Sequence, residues 1–181
     1  MTFSRHTLFQ GLAVNINAKQ AEFLINQLTV LVVDDSQFTR NLVRGLLANI
    51  GVKKSHEAAD GIAALEKIRA IQPDIVILDW EMPLLNGPEL VRIVRSPGVF
   101  PIPDIPIIMM SGNVERRRVL EAARLGVNEF LCKPMSAKAL LERLISILLK
   151  PRESVRVGAY YGPAPRVAVV KDKPLDSPTA A

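Results

Sequence analysis

Asp34-Asp35, Asp79, Ser111 and Lys133-Pro134 share one placement: each closes a short apolar run. The runs are Val30–Val33, Ile75–Leu78, Ile105–Met110 and Asn128–Cys132, and a weaker one at Lys53–Ala58 ends in Ala59-Asp60-Gly61. Continuous Val/Ile-rich runs are what strands buried on both faces look like. In an open parallel sheet, ligands bind beyond the carboxyl ends of the strands. Three carboxylates, one hydroxyl and one ammonium are therefore expected at one edge. Like charges about 4 Å apart repel by roughly 4 kcal/mol per pair at an effective dielectric of 20, more than one lysine offsets. The cluster has two ways out, raised carboxyl pKa values or a bound hard cation, and all-oxygen ligation suits Mg2+. A cation, an ammonium and a hydroxyl around one carboxylate are also what phosphoryl transfer to that carboxylate needs. Asp and Ser also favour turns and could simply end strands. That explanation serves any one position, but not four strand ends together.

The elements that must hold these groups are legible between them. Leu42, Val43, Leu46, Leu47 and Ile50 form one helical stripe, Leu90, Val91 and Val94 another, and Leu140, Leu141, Leu144, Ile145 and Leu148 a third. Ser36 and Ser136 are placed as N-caps, and Gly51 and Gly126 where helices should stop. Five strand–helix alternations with short loops predict an α/β fold, a parallel sheet wound on both faces. Ser96–Asp104, rich in Pro and Gly, reads as a loop before the fourth strand.

Three segments follow: residues 1–28 with an extra helix, a domain over 29–150, and a Pro-rich tail over 151–181. In the first, Asn17 and Gln20 suggest a capping box, and Ala21, Leu24, Ile25 and Leu28 make an amphipathic face for packing on the domain or on a second copy. The tail has five prolines and reads as extended or flexible. Ile147 and Leu149 lie off the main stripe of the last helix, free to meet the N-terminal helix or another domain.

Composition bounds the function. The 181 residues are 49% hydrophobic and 23% charged, which suits one globular domain. No apolar stretch reaches the roughly 18–20 residues of a membrane span, and no secretory h-region stands at the start. The single cysteine, Cys132, rules out a disulfide framework and is read as a small buried residue of the fifth strand. A cytoplasmic protein is expected. The net charge of +5 is spread along the chain. Only Arg116-Arg117-Arg118 is dense, so no DNA or RNA binding is expected. Arg117 and Arg118 can reach Glu121 along the helix; the alternative use of the cluster is an acidic partner.

Val-Leu-Val-Val-Asp34-Asp35-Ser, Val-Ile-Leu-Asp79-Trp-Glu-Met-Pro-Leu-Leu-Asn-Gly, Met-Met-Ser111-Gly and Glu-Phe-Leu-Cys-Lys133-Pro134 together resemble the receiver domain of bacterial two-component response regulators. The resemblance spans about Thr29 to Lys150, with the motifs in order. It implies a flavodoxin-like sheet of order 2-1-3-4-5, and a stand-alone switch is expected because the residues after Lys150 are too few for an output domain. It implies that Asp79 accepts a phosphoryl group from a sensor histidine kinase or histidine phosphotransfer protein. Mg2+ would be held by Asp35, Asp79 and the backbone carbonyl of Glu81, with Asp34 acting through a water. Lys133, before a cis proline bond, would pair with Asp79 and then with a phosphoryl oxygen. Ser111 would donate to that group, and Phe130 would turn inward. The signal would emerge on the face of the domain's fourth helix, fifth strand and fifth helix, toward a downstream protein or a second copy.

Some positions depart from the commoner pattern. Ser111 replaces a commoner Thr and keeps the hydroxyl, Gly112 leaves the acceptor open, and Phe130 lacks a phenolic hydroxyl. Glu81 and Asn113 occupy the two positions that bear on acyl-phosphate hydrolysis in this family. Two other functions fit less well. A phosphatase of the haloacid dehalogenase type needs an acid where Ser36 stands. A receiver that signals without phosphate would have no use for the full set of five residues.

Overall fold

Successive residues of a strand face opposite sides of a sheet, so the apolar runs must be covered twice. The computed structural model, which describes residues 18–113 and 115–165, shows that arrangement. Helix α1 (Ala18–Gln27) leads into β1 (Thr29–Val33), α2 (Gln37–Ile50), β2 (Lys54–Ala58), α3 (Gly61–Ile71), β3 (Ile75–Asp79) and α4 (Gly87–Val94). Then come β4 (Ile107–Ser111), α5 (Arg116–Leu125), β5 (Glu129–Cys132), α6 (Ala137–Leu149), β6 (Ser154–Val157) and β7 (Tyr160–Pro163). The five-stranded sheet is parallel with order β2-β1-β3-β4-β5, as the resemblance implied.

The three central strands, β1, β3 and β4, each feed two cores. Leu31, Val33, Val76, Leu78, Ile107 and Met109 pack under α3, α4 and α5 with Ala64, Ile68, Leu90, Val91, Val94 and Ala122. Val30, Val32, Ile75, Ile77, Ile108 and Met110 meet Val43, Leu47, Leu140, Leu144 and Leu148 of α2 and α6. β3 and β4 are buried along their whole length, whereas the edge strands β2 and β5 alternate. The alternation explains why the second run is weak in the sequence: only one side of it reaches a core.

The caps hold the strand ends in place. Ser36 accepts a hydrogen bond from the Thr39 amide and Ser136 from that of Ala139. Gly51 and Gly126 close α2 and α5 at φ +108° and +89°, where a side chain is strained. Asp60 caps α3, and Asn86 with Glu89 forms a full capping box on α4. The Asn17 cap lies outside the described residues. Ile25 and Leu28 of the N-terminal segment are buried in the α2–α6 core, with Leu24, Ile147 and Leu149 packed around it. The apolar face of α1 thus rests on its own domain against α6, and the surplus residues of α6 are used there.

Two expectations need correction. The start of the tail is folded: β6 and β7 pair antiparallel around Gly158-Ala159, with Gly158 at φ +59°, as a two-residue hairpin turn with glycine first requires. The hairpin is held by distant groups. Gly126 lies so close that a Cβ there would sit 2.9 Å from the Tyr161 carbonyl oxygen. The Tyr161 hydroxyl donates to Asp104 Oδ1 at 2.6 Å, and Arg152 donates to the carbonyls of Ala164 and Asn128. Beneath it Arg95 is buried and donates to the carbonyls of Gly126 (2.9 Å) and Pro103 and to Asn128 Oδ1 (3.1 Å). Burial lowers its guanidinium pKa to about 10. Second, Cys132 is half-buried, because β5 is an edge strand whose second face is only partly covered.

Candidate functional site

Parallel register sets the site. Val33 pairs with Leu78, Asp79 with Met110 and Ser111 with Cys132, so the residues after these positions emerge at one edge. Asp34 and Asp79 are buried, and Asp35 is exposed. Oxygens of all three carboxylates lie within 4.8 Å of one another. Lys133 Nζ bridges Asp34 Oδ2 at 2.7 Å and Asp79 Oδ1 at 2.8 Å. The Lys133–Pro134 bond is cis, and the Lys133 amide donates to the Ser111 carbonyl at 2.9 Å.

Electrostatics follow from this crowding. Burial raises the Asp79 pKa above its ordinary value, with Lys133 pulling the other way and Asp34 adding to the rise. Burial alone would lower the Lys133 pKa, but the hydrogen bonds to Asp34 and Asp79 outweigh it and the net shift is upward. One ammonium among three carboxylates leaves an excess of negative charge. The oxygen-only donor set, with Asp35 facing solvent, fits Mg2+. A cleft of about 410 Å³ lined by Asp35, Trp80, Glu81, Met82, Pro83 and Asn86 leads to it. Its wall is brought close by Gly87, where a Cβ would lie 2.4 Å from the Asp79 carbonyl oxygen.

Ser111 is buried, and its Oγ accepts from the Asn113 amide and from Arg118 Nη1, both at 3.1 Å. Both acceptor positions are filled, which leaves the hydroxyl proton to donate. Phe130, half-buried, meets Trp80 edge-on at 6.4 Å between centroids.

Two arginines escape sequence reasoning. Buried Arg40 donates through Nη1 to the carbonyls of Asp34 (2.7 Å) and Asp35 (3.2 Å), fixing the loop that carries both acids. Its Nε makes no hydrogen bond and lies 3.5 Å from Glu57 Oε2, an ion pair only. The signal was present: Arg40 falls on the buried face of α2 with Val43 and Leu47. Arg118 overturns the expected pairing with Glu121. Its Nη2 binds Glu81 Oε1 at 2.7 Å, Nη1 reaches Ser111, and its guanidinium lies over Trp80 at 5.3 Å. Cations are disfavoured in the first turn of a helix, and Glu81 offers relief that Glu121 on the same helix does not.

Residues 30–145 match the family model of the response regulator receiver domain. Chemotaxis protein CheY-3 of Vibrio cholerae is 33% identical over 127 residues, 70% of this chain and 96% of that protein. The structure of V. cholerae CheY4 is 32% identical with a TM-score of 0.60, covering 67% of this chain and 98% of that one. The CheX–CheY–BeF3–Mg complex of Borrelia burgdorferi matches at 28% identity and TM-score 0.61, covering 66% and 88%. The chain belongs to the response regulator receiver family. It is a module of two-component signalling rather than a classical enzyme, which sets aside the dehalogenase-type phosphatase.

Proposed function

We propose that the protein is a Mg2+-dependent phosphorylation switch with Asp79 as acceptor. An Asp79 carboxylate oxygen attacks phosphorus of a phosphohistidine on a sensor kinase or phosphotransfer protein. The O–P bond forms as the N–P bond breaks, and the leaving imidazole nitrogen keeps the electron pair and takes up a proton. The observation that carries this reading is the Lys133 ammonium spanning Asp34 and Asp79, with the Lys133 backbone amide held on the Ser111 carbonyl.

Asp35, Asp79 and the Glu81 backbone carbonyl would hold the metal, with Asp34 through a water. Bound Mg2+ supplies positive charge that offsets the carboxylates and the phosphoryl oxygens. Lys133 orients the acceptor carboxylate in the resting state and pairs with a phosphoryl oxygen afterwards. Ser111 donates its hydroxyl proton to the same group, and Phe130 follows it inward. The change is read by a downstream protein, or by a second copy, on the α5–β5–α6 face. The β6–β7 hairpin lies against α5 at one end of that face.

No helix among the described residues is long and apolar enough to cross a membrane; the reading as a kinase's target would itself put the protein to work in the cytoplasm. Residues 29–150 act as the signalling unit, with 1–28 and 151–181 as its flanks. The test is acetyl phosphate with and without Mg2+, read by intact mass, with Asp79→Asn as control. A single phosphoryl adduct that needs Mg2+ and is absent from the variant is expected. A chain that binds its target equally well with and without adduct would instead be a constitutive interaction module.

A further inference from the structure

We propose that Arg118 is a phosphoryl-contacting residue, parked on Glu81 until the phosphoryl group arrives. The inference rests on the reading of Asp79 as acceptor. Arg118 belongs to none of the motifs that define the site; it is the third residue of the arginine run that opens α5. Glu115, at the N-cap position of that helix, makes no side-chain capping bond. The Arg118 guanidinium reaches away from the helix to the ends of β3 and β4. There one fork joins Ser111 Oγ at 3.1 Å to Glu81 Oε1 at 2.7 Å across the face of Trp80.

The geometry gives the arginine a second position. The Ser111 hydroxyl has only its proton left to give, and a phosphoryl oxygen accepting it lies within about 3 Å of Oγ. Arg118 Nη1 already touches that same Oγ. A small rotation of the guanidinium therefore reaches the oxygen that Ser111 binds. The arginine fork suits phosphate better than a single ammonium does, so Arg118 would add a second cation to the phosphoryl oxygens beside the one that Lys133 brings.

The hold of Glu81 is weak enough to be broken. Its side chain is 72% exposed, against 24% for Arg118, and exposed ion pairs contribute little. A phosphoryl group carries up to about two negative charges and lies on the buried side of the pair. Arg118 then gives up Glu81 for the phosphoryl oxygen, stabilising charge that develops during transfer. As it moves, a cation leaves the face of Trp80, the ring that Phe130 meets edge-on.

The test compares wild type, Arg118→Ala, Arg118→Lys, Glu81→Gln and the Glu81→Gln/Arg118→Ala double variant. Two readouts are taken: the acetyl phosphate rate constant by intact mass, and the affinity for beryllium fluoride with Mg2+ by Trp80 fluorescence. Arg118→Ala is expected to lower both about 10-fold, with partial recovery in Arg118→Lys. Glu81→Gln, which frees the arginine, is expected to raise both about threefold, and the double variant to lose that gain. Arg118→Ala within twofold of wild type in both readouts overturns the proposal. So does a faster Arg118→Ala, which would make the arginine a barrier. Absence of an Asp79 adduct in wild type refutes the acceptor reading itself, so the two failures are distinct.

Discussion

Neutralising Asp79 should make the metal-free protein more stable. In Asp79→Asn, one attraction to Lys133 and two repulsions disappear. At 2.8 Å and an effective dielectric of 20 the attraction is about 6 kcal/mol, and each repulsion, between oxygens within 4.8 Å, at least about 3.5 kcal/mol. The repulsions together slightly exceed the attraction. Desolvation, the largest influence raising the Asp79 pKa, adds to the same side, and Lys133 keeps its bond to Asp34 at 2.7 Å. A gain of about 1–3 kcal/mol follows, or several degrees in Tm at about 2–4 °C per kcal/mol for a chain of this size. Urea and thermal melts at pH 7 in chelator measure it. Mg2+ should then narrow the gap, since it stabilises wild type by mass action and binds the variant less well. A metal-free Asp79→Asn less stable than wild type would refute the reasoning, because the Lys133 attraction would then exceed the crowding of the acids.

Three further outcomes are expected. Because the folded-state pKa of Asp79 lies above its ordinary 3.8, the folded state holds that proton more tightly than the unfolded one. Its contribution is complete below pH 3.8 and is lost as pH rises through the raised value. Metal-free wild type should therefore lose stability over that window relative to Asp79→Asn, and parallel pH profiles from chemical denaturation would contradict this. Arg40→Ala leaves the carbonyls of Asp34 and Asp35 without their guanidinium and should weaken Mg2+ binding about 10-fold; unchanged Trp80 titrations would exclude that role. Gly126→Ala should cost about 2 kcal/mol or more, from the left-handed backbone and the 2.9 Å contact with the Tyr161 carbonyl. Protease sensitivity should rise first at the β6–β7 hairpin, and an unchanged melt with a resistant hairpin would show that this contact is not needed.

The chemistry of the strand ends was legible because the polar types follow directly on apolar runs, and parallel pairing brings such positions together whatever the loops do. Edge strands were weaker because half of each faces outward, which also misplaced Cys132. The hairpin was not legible as a strand pair. Its four-residue strands have little periodicity, and its anchors, Gly126, Asp104 and Asn128, come from earlier loops and helix ends. Arg118 was misread for the same reason: local spacing offers Glu121, while the partner it takes is 37 residues away. Arg40 could have been found, since a charge on the buried face of an otherwise apolar helix stripe needs a buried acceptor.

The central claim is that Asp79 takes the phosphoryl group, and the most direct test is to identify the modified residue. Wild type is incubated with acetyl phosphate and Mg2+, the acyl phosphate is trapped by borohydride reduction, and the peptides are mapped by mass. Homoserine at position 79 alone, and none without Mg2+, is the predicted result. Modification at Asp34 or Asp35 instead, or an adduct that persists in Asp79→Asn, would contradict the account.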